Sequence, residues 1–424
     1  MLTVVIFFLL ISMTVVLGIA NPILKQVKIS QENYSSKKSY YLAEGALEDA
    51  YYRLISAKTL GSTEVLTLNG GTATTAITTT ATGKQFVATA SVNNAVRKVQ
   101  AVFALGTGIS FHYGVQSGQG GFVLSNSSSV IGNIYSGGSV IGSGGNMVYG
   151  DVISAGAAGL VYGIHSTSSV YAHTIGNGGG GTTIDKDAYY QTITNTTVAG
   201  TRYGSSTDQA TTSLPISDDQ ISEWESDATA GGTMLTSDCG SYSSGTCVIT
   251  SNKTLGPLKI PFNLSISGSP TVTITGPLWI TGNITISNSP TIKIATSLGT
   301  QNVAIIADNP SNPTGSGIID VNNSATFSGS GSPGSFVFLV SQNTSAENGG
   351  AIEAISLSQG AAALVVYASH GLIALSNSIN LKEVTAYKTT LKNSAKVTYD
   401  TGLPSTVFAA GPSGGYDVVS WGEI

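Results

Sequence analysis

Charge is scarce in this chain. Asp, Glu, Lys and Arg make up 10% of 424 residues, and the formal net charge is -5. That balance leaves no basic footprint for nucleic acid and no acidic tail, so no nucleic-acid partner is expected. Cysteine is scarcer still, with only Cys239 and Cys247. The loop between them, GSYSSGT, offers no ligand set for a metal. A short local disulfide in an oxidising compartment is therefore their expected use. Several signatures of chemistry are missing as well. The glycine run GNGGGG at 176–181 lacks the following Lys and Ser/Thr of a phosphate loop, and no helix pattern follows it. Asp185 and Asp187 lack the glycine and closing Glu of an EF-hand, so they read as solvated loop residues. His112, His165, His173 and His370 are scattered without metal-ligand spacing, although His165 and His173 can meet on adjacent turns. No Gly-x-Ser-x-Gly stands on a strand-to-helix turn. No cofactor and no metal are expected.

What is present is apolar and small. Apolar residues make up 41% and Gly numbers 52, with Ser, Thr and Asn abundant. Stacked β structure with a thin dry core suits this balance better than disorder. The chain is organised around its beginning. MLTVVIFFLLISMTVVLGIA, residues 1–20, carries no charge, and at 1.5 Å per helical residue it spans the roughly 30 Å core of a bilayer. After Asn21 and Pro22, a possible kink, Val27, Tyr34, Tyr41, Leu47, Tyr51 and Leu54 continue an irregular apolar face. One bent helix of about 55 residues, roughly 80 Å long, is expected.

The apolar stretch, Pro22, the polar stretch and the segment SYYLAEGALEDAYYRL at 39–54 together resemble the amino-terminal helix of type IV pilin-like proteins, especially the minor pilin type. The resemblance covers about the first hundred residues. It implies a basic leader ending in Gly that a prepilin peptidase removes, and a helix held first in the inner membrane and then in the core of an extracellular filament at the bacterial surface. Val5, Phe7, Phe8, Leu9, Leu10 and Pro22 would then meet membrane lipid and other pilin-like subunits. Counted with Met1 as the mature first residue, Val5 stands where major pilins usually carry a Glu that pairs with the neighbouring subunit's amino terminus. That departure favours a special place, such as the tip. A plain single-pass anchor is the other reading of the helix. Lys25, Lys28, Lys37 and Lys38 follow the span and nothing basic precedes it, which by the positive-inside rule conflicts with an exported body. A basic leader upstream of Met1 would resolve the conflict.

Behind the helix (1–58), alternation from Gly61 to Leu105 predicts three or four antiparallel strands with Asn-Gly, Thr-Gly and Asn-Asn turns, a small sheet over 59–107. A Gly-rich array at 108–184 has short apolar strands with tight corners, as a parallel solenoid requires. The stretch 185–256 reads as an insertion. It holds the disulfide loop and a short helix opened by the capping-box pattern of Ser217 and Gln220. A main β-helix is expected over 257–412, with a C-terminal cap at 413–424. NLSISGSPTVTI from Asn263 and NITISNSPTIKI from Asn283 agree at seven of twelve positions with an offset of 20 residues. Each 20-residue unit divides into about three strands, one coil of a parallel β-helix. The coil exceeds the length of three hexapeptides, so a right-handed form is preferred; Tyr367 and Tyr387 repeat the offset. An antiparallel sandwich is the main alternative.

The fold class is thus mainly β: a long helix, a small antiparallel sheet and a parallel β-helix. The carboxylates Asp151, Asp308, Asp320, Glu347, Glu353 and Glu383, with Lys382, show no matching positions one or two coils apart, so no enzyme is expected. The sequence points to a structural and adhesive surface protein, a minor or tip-associated subunit of a pilus-like filament whose receptor is an unknown surface molecule or polysaccharide. The alternatives are a membrane-anchored β-helical adhesin outside any filament and, third, a carbohydrate-active β-helix enzyme.

Overall fold

The computed structural model describes residues 2–55, 61–68, 70–80, 83–105, 113–177, 181–359, 364–400 and 416–424. Met1, Asn69 and Thr82 of the expected turns, His112, residues 178–180 of the glycine run and all of 401–415 lie outside them. The chain divides into two compact units, 1–106 with 415–424, and 107–414.

In the first unit, helix α1 runs from Leu2 to Ile55 with Pro22 inside it. Strands β1 (Thr63–Leu68), β2 (Gly71–Thr80), β3 (Gly83–Val92) and β4 (Ala95–Leu105) pair antiparallel in sequence order. Asn93 and Asn94 both take positive φ (48° and 65°), making the two-residue Asn-Asn hairpin that the sequence implied. A fifth strand, Tyr416–Glu423, lies in the stretch expected as a cap and pairs antiparallel with β4. That pairing joins residues more than three hundred positions apart, which no local pattern reveals.

Leu42, Ala43, Ala46, Leu47 and Ala50 recur every three or four residues on α1 and so share one face. They are buried with Phe86, Ala88 and Ala90 of β3 and Val99, Ala101 and Phe103 of β4, which alternate along their strands. Burying a Leu47- or Phe103-sized side chain contributes about 1.5–3 kcal/mol. Small residues let helix and sheet approach closely: a Cβ on Gly71 would stand 2.7 Å from Leu42 Cδ2. Of the face read in the sequence, Leu47 is buried and Tyr51 and Leu54 pack against this core, but the rest differs. Val27, Tyr34 and Tyr41 stay exposed, because the sheet packs on the alanines.

The second unit is built of parallel ladders. Ile266 pairs with Ile286 and Ile274 with Ile294, the 20-residue register of the repeat. The spacing is not uniform, however. Ile134, Val152, Val170 and Ala188 pair at 18-residue intervals, whereas Ile284 pairs with Ile319 and Ile319 with Ile355, the extra residues forming loops. Tyr367 pairs with Thr385 rather than Tyr387. Repeat length therefore carries no argument for handedness. Parallel pairing also extends beyond Ile184, through Arg202–Gly204.

The order of the strands is not the order of the chain. Cys247, Leu264, Ile284, Ile319, Ile355, Ile373 and Thr389 follow one another down a single column. Thr389 then pairs with Phe122, and the column continues through Val140, Val161 and Ile175. The last strands of the second array thus join the first strand of the first array. Strands Val303–Ala307 and Val337–Ser341 are buried on both faces, because helix α2 (Asp218–Ala230) lays Ile221 and Trp224 over their outer side. This explains their unbroken apolar sequence. Ser217 caps α2 in a capping box with Gln220.

Candidate functional site

Along α1 the side chains expected to meet lipid or other subunits are exposed: Val5, Phe7, Phe8, Leu9 and Leu10 each by 55% or more. The helix is long and apolar enough to cross a membrane. Two of its polar side chains there bond within the helix, Ser12 Oγ donating to the Leu9 carbonyl (3.0 Å) and Thr14 Oγ1 to that of Leu10 (2.8 Å). A hydrocarbon environment demands such bonds. Lower down, the exposed Tyr34 and Tyr41, with Lys37, Lys38, Leu42 and Leu68, line a groove of about 370 Å³. On its opposite face, Ser39 Oγ donates to the Ala95 carbonyl (2.6 Å) and Arg97 Nε to Ser36 Oγ (2.8 Å), fixing the helix on the hairpin.

In the second unit Cys239 and Cys247 are joined at 2.06 Å. The scattered carboxylates and histidines mostly serve their own corners. Asp151 accepts the Ser169 N–H (3.0 Å) and Asp187 the Thr201 N–H (2.8 Å), each from the following repeat. His165 pairs with Asp185 (3.0 Å) and His173 with Asp208 (3.0 Å), so the two histidines do not meet. Lys382 pairs with Asp400 at 3.4 Å. Among the described residues, no group of three or more His, Cys, Asp or Glu is placed to hold a metal.

Three arrangements were missed in the sequence. His370 lies between Asp218 and Glu347, and the Glu225 carboxyl faces that of Asp308, with Glu225 Oε1 buried and without a hydrogen-bond partner among the described residues. Tyr171, Tyr189 and Tyr203 stack on three successive repeats, their rings 4.5 and 4.6 Å apart. The third is a corner. Asn-Ser pairs at 126–127, 288–289, 323–324, 377–378 and 393–394 all take positive φ at both residues, a conformation Asn tolerates. Their amides form a ladder, Asn126 Nδ2 donating to Asn393 Oδ1 at 3.1 Å and Asn393 Nδ2 to Asn377 Oδ1 at 3.4 Å. The recurrent Asn-Ser, with an apolar residue two positions before each Asn (Leu124, Ile286, Val321, Leu375 and Leu391), was the signal to seek.

Glu383 is fully buried, with a hydrogen bond from Thr385 Oγ1 to Oε1 and no partner for Oε2 among the described residues. Burial pushes its carboxyl well above the usual carboxylate range, and the Thr385 bond opposes this only in part. A group raised on folding contributes stability that is full below about pH 4.3 and is lost as pH rises through the folded value. Glu383→Gln should flatten the fall in unfolding free energy above about pH 4.3, by up to about 1.4 kcal/mol per pH unit, as read from denaturant melts across pH. Equal slopes in the two proteins would show that Glu383 folds as a carboxylate.

No family model matches this chain, and no curated protein matches it. Among solved structures, the competence-associated pilin ComZ from Thermus thermophilus is similar, with 12% sequence identity, 92% of this chain and 98% of that chain covered, and a TM-score of 0.23. At that TM-score the superposition bears on neither the fold nor the function of this chain.

Proposed function

We propose that this chain is a structural, non-enzymatic surface protein of the pilin-like kind: inserted in the membrane by α1, able to join a filament as a minor or tip-associated subunit, and carrying a β-helical body outside the cell. One observation carries the reading. A single helix of 54 residues exposes an uncharged apolar first part and buries its second part on a small antiparallel sheet. The exposed Val27, Tyr34 and Tyr41 offer further surface to a neighbouring subunit. The parallel ladders of the second unit support a β-helix, right-handed as parallel crossovers generally are. Its half-exposed column of Tyr171, Tyr189 and Tyr203 suits an adhesive contact with a surface receptor or polysaccharide.

Shearing filaments from producing cells tests the assembly. The chain should be recovered in the sheared fraction; recovery only with membranes would favour an anchored adhesin outside any filament. The helix has its own test. Leu10→Asp, near the middle of the span, should cost about 2.5–3.5 kcal/mol of insertion, and Thr3→Asp, near its edge, less. Membrane retention measured by fractionation should follow that order, and equal retention of both variants would argue against a spanning helix.

A further inference from the structure

Helix α2 is a strap across an apolar sheet face. Beneath Ile221 and Trp224 lie Ala304, Ile306, Phe338, Val340, Val365 and Tyr367. Both ends of the strap are fastened by titratable groups. At its first residue, Asp218 bonds His370 Nε2 at 3.0 Å, and its carboxylate also accepts from Ser369 and Gln342. His370 Nδ1 meets Glu347 on the other side. Just ahead of the helix, the Tyr367 hydroxyl donates to the Ile216 carbonyl and accepts the Ile216 N–H at 3.2 Å. In the second half, the buried Glu225 carboxyl faces the carboxyl of Asp308, which follows strand Val303–Ala307, and Glu225 Oε1 has no hydrogen-bond partner among the described residues. Two facing carboxyl groups can bond each other only while one of them is protonated. Lys259 faces this pair from the neighbouring strand, its Nζ 3.8 Å from the Trp279 ring, and Asp218 is the further charge near Asp308.

We infer that α2 is a proton-controlled strap, held down in mild acid by the His370 clasp and the shared carboxyl proton, and released toward alkaline pH to uncover the apolar face beneath it. The electrostatics agree at both ends. Burial pulls His370 downward, but its bonds to Asp218 and Glu347, and their charges, raise it above its ordinary value. Burial first, then the facing Asp308 carboxyl, raise Glu225 to about 8, with Lys259 opposing. Asp308 is also raised by burial. Groups raised on folding give stability that is complete below their unfolded values and is lost as pH rises through the folded ones. The Glu225 window therefore opens above about pH 4.3 and the His370 window above about pH 6.5. Both loosen the strap in the same direction.

Hydrogen exchange on the full-length chain in detergent reads the strap directly. Corrected for the intrinsic chemical rate, opening of 218–230 should increase at least ~tenfold from pH 5.5 to 7.5, since one such group changes an equilibrium by up to tenfold per unit. Strands 284–294 should keep their protection. Glu225→Gln supplies a neutral amide that can bond Asp308 at every pH, and it should remove most of that dependence; His370→Gln should remove the part above pH 6.5. Opening that ignores pH would overturn the inference. So would α2 exchanging in step with 284–294, or a pH dependence unchanged in both variants.

Discussion

Ile286→Asp should unfold its part of the second unit, and Thr285→Lys, one residue away, should leave it standing. Ile286 is 1% exposed and pairs with Ile266 on one side and Val321 on the other. A carboxylate in that column has no partner and no water, a change of the kind that costs several kcal/mol, on the order of 3–5. Thr285 points to the opposite, exposed face, where its neighbour across the ladder is Asp320, so a lysine there meets an opposite charge. Thermal melts followed by circular dichroism separate the two. If both variants melted alike, the assignment of faces would be wrong, and with it the register of the repeat.

Phe122→Ala should have an effect in two places at once. Phe122 is fully buried and lies in the ladder between Thr389 and Val140, where the two arrays join. Truncating a buried phenylalanine costs about 3–5 kcal/mol. Because the join pairs residues some 270 positions apart, protection from hydrogen exchange should fall together in 115–125 and 383–391, while 264–294 changes little. Loss confined to one of those strands would mean that the arrays do not depend on each other across this ladder.

What the sequence made legible follows from how local each signal was. The uncharged run of residues 1–20 and the repeat at Asn263 and Asn283 are patterns within one window, and α1 and the Ile266–Ile286 register followed from them. The capping box of Ser217 was equally local. The non-local features escaped. Nothing near Thr389 announces Phe122, and nothing in Tyr416–Glu423 announces β4. Coil length misled because loops such as 308–318 are inserted between ladders without disturbing the inward column. The polar clusters under α2 were missed for a related reason. Asp218, Asp308, Glu347 and His370 come from four separate stretches, and it is the fold of the ladders and the strap that brings them near one another.

The joining of the two arrays has a mechanical consequence. The described part of the second unit begins at Tyr113 and ends at Asp400, and a Cβ on Gly114 would stand 3.5 Å from that of Tyr399. Tension applied through the two connections therefore converges on one place in the middle of the ladder, where the strands 115–125 and 383–391 lie side by side. The repeats beyond that place, toward Arg202 in one direction and Cys247 in the other, bear none of it. Whole repeats could be gained or lost at either far end, lengthening or shortening the surface on offer, without weakening the point by which it is tethered.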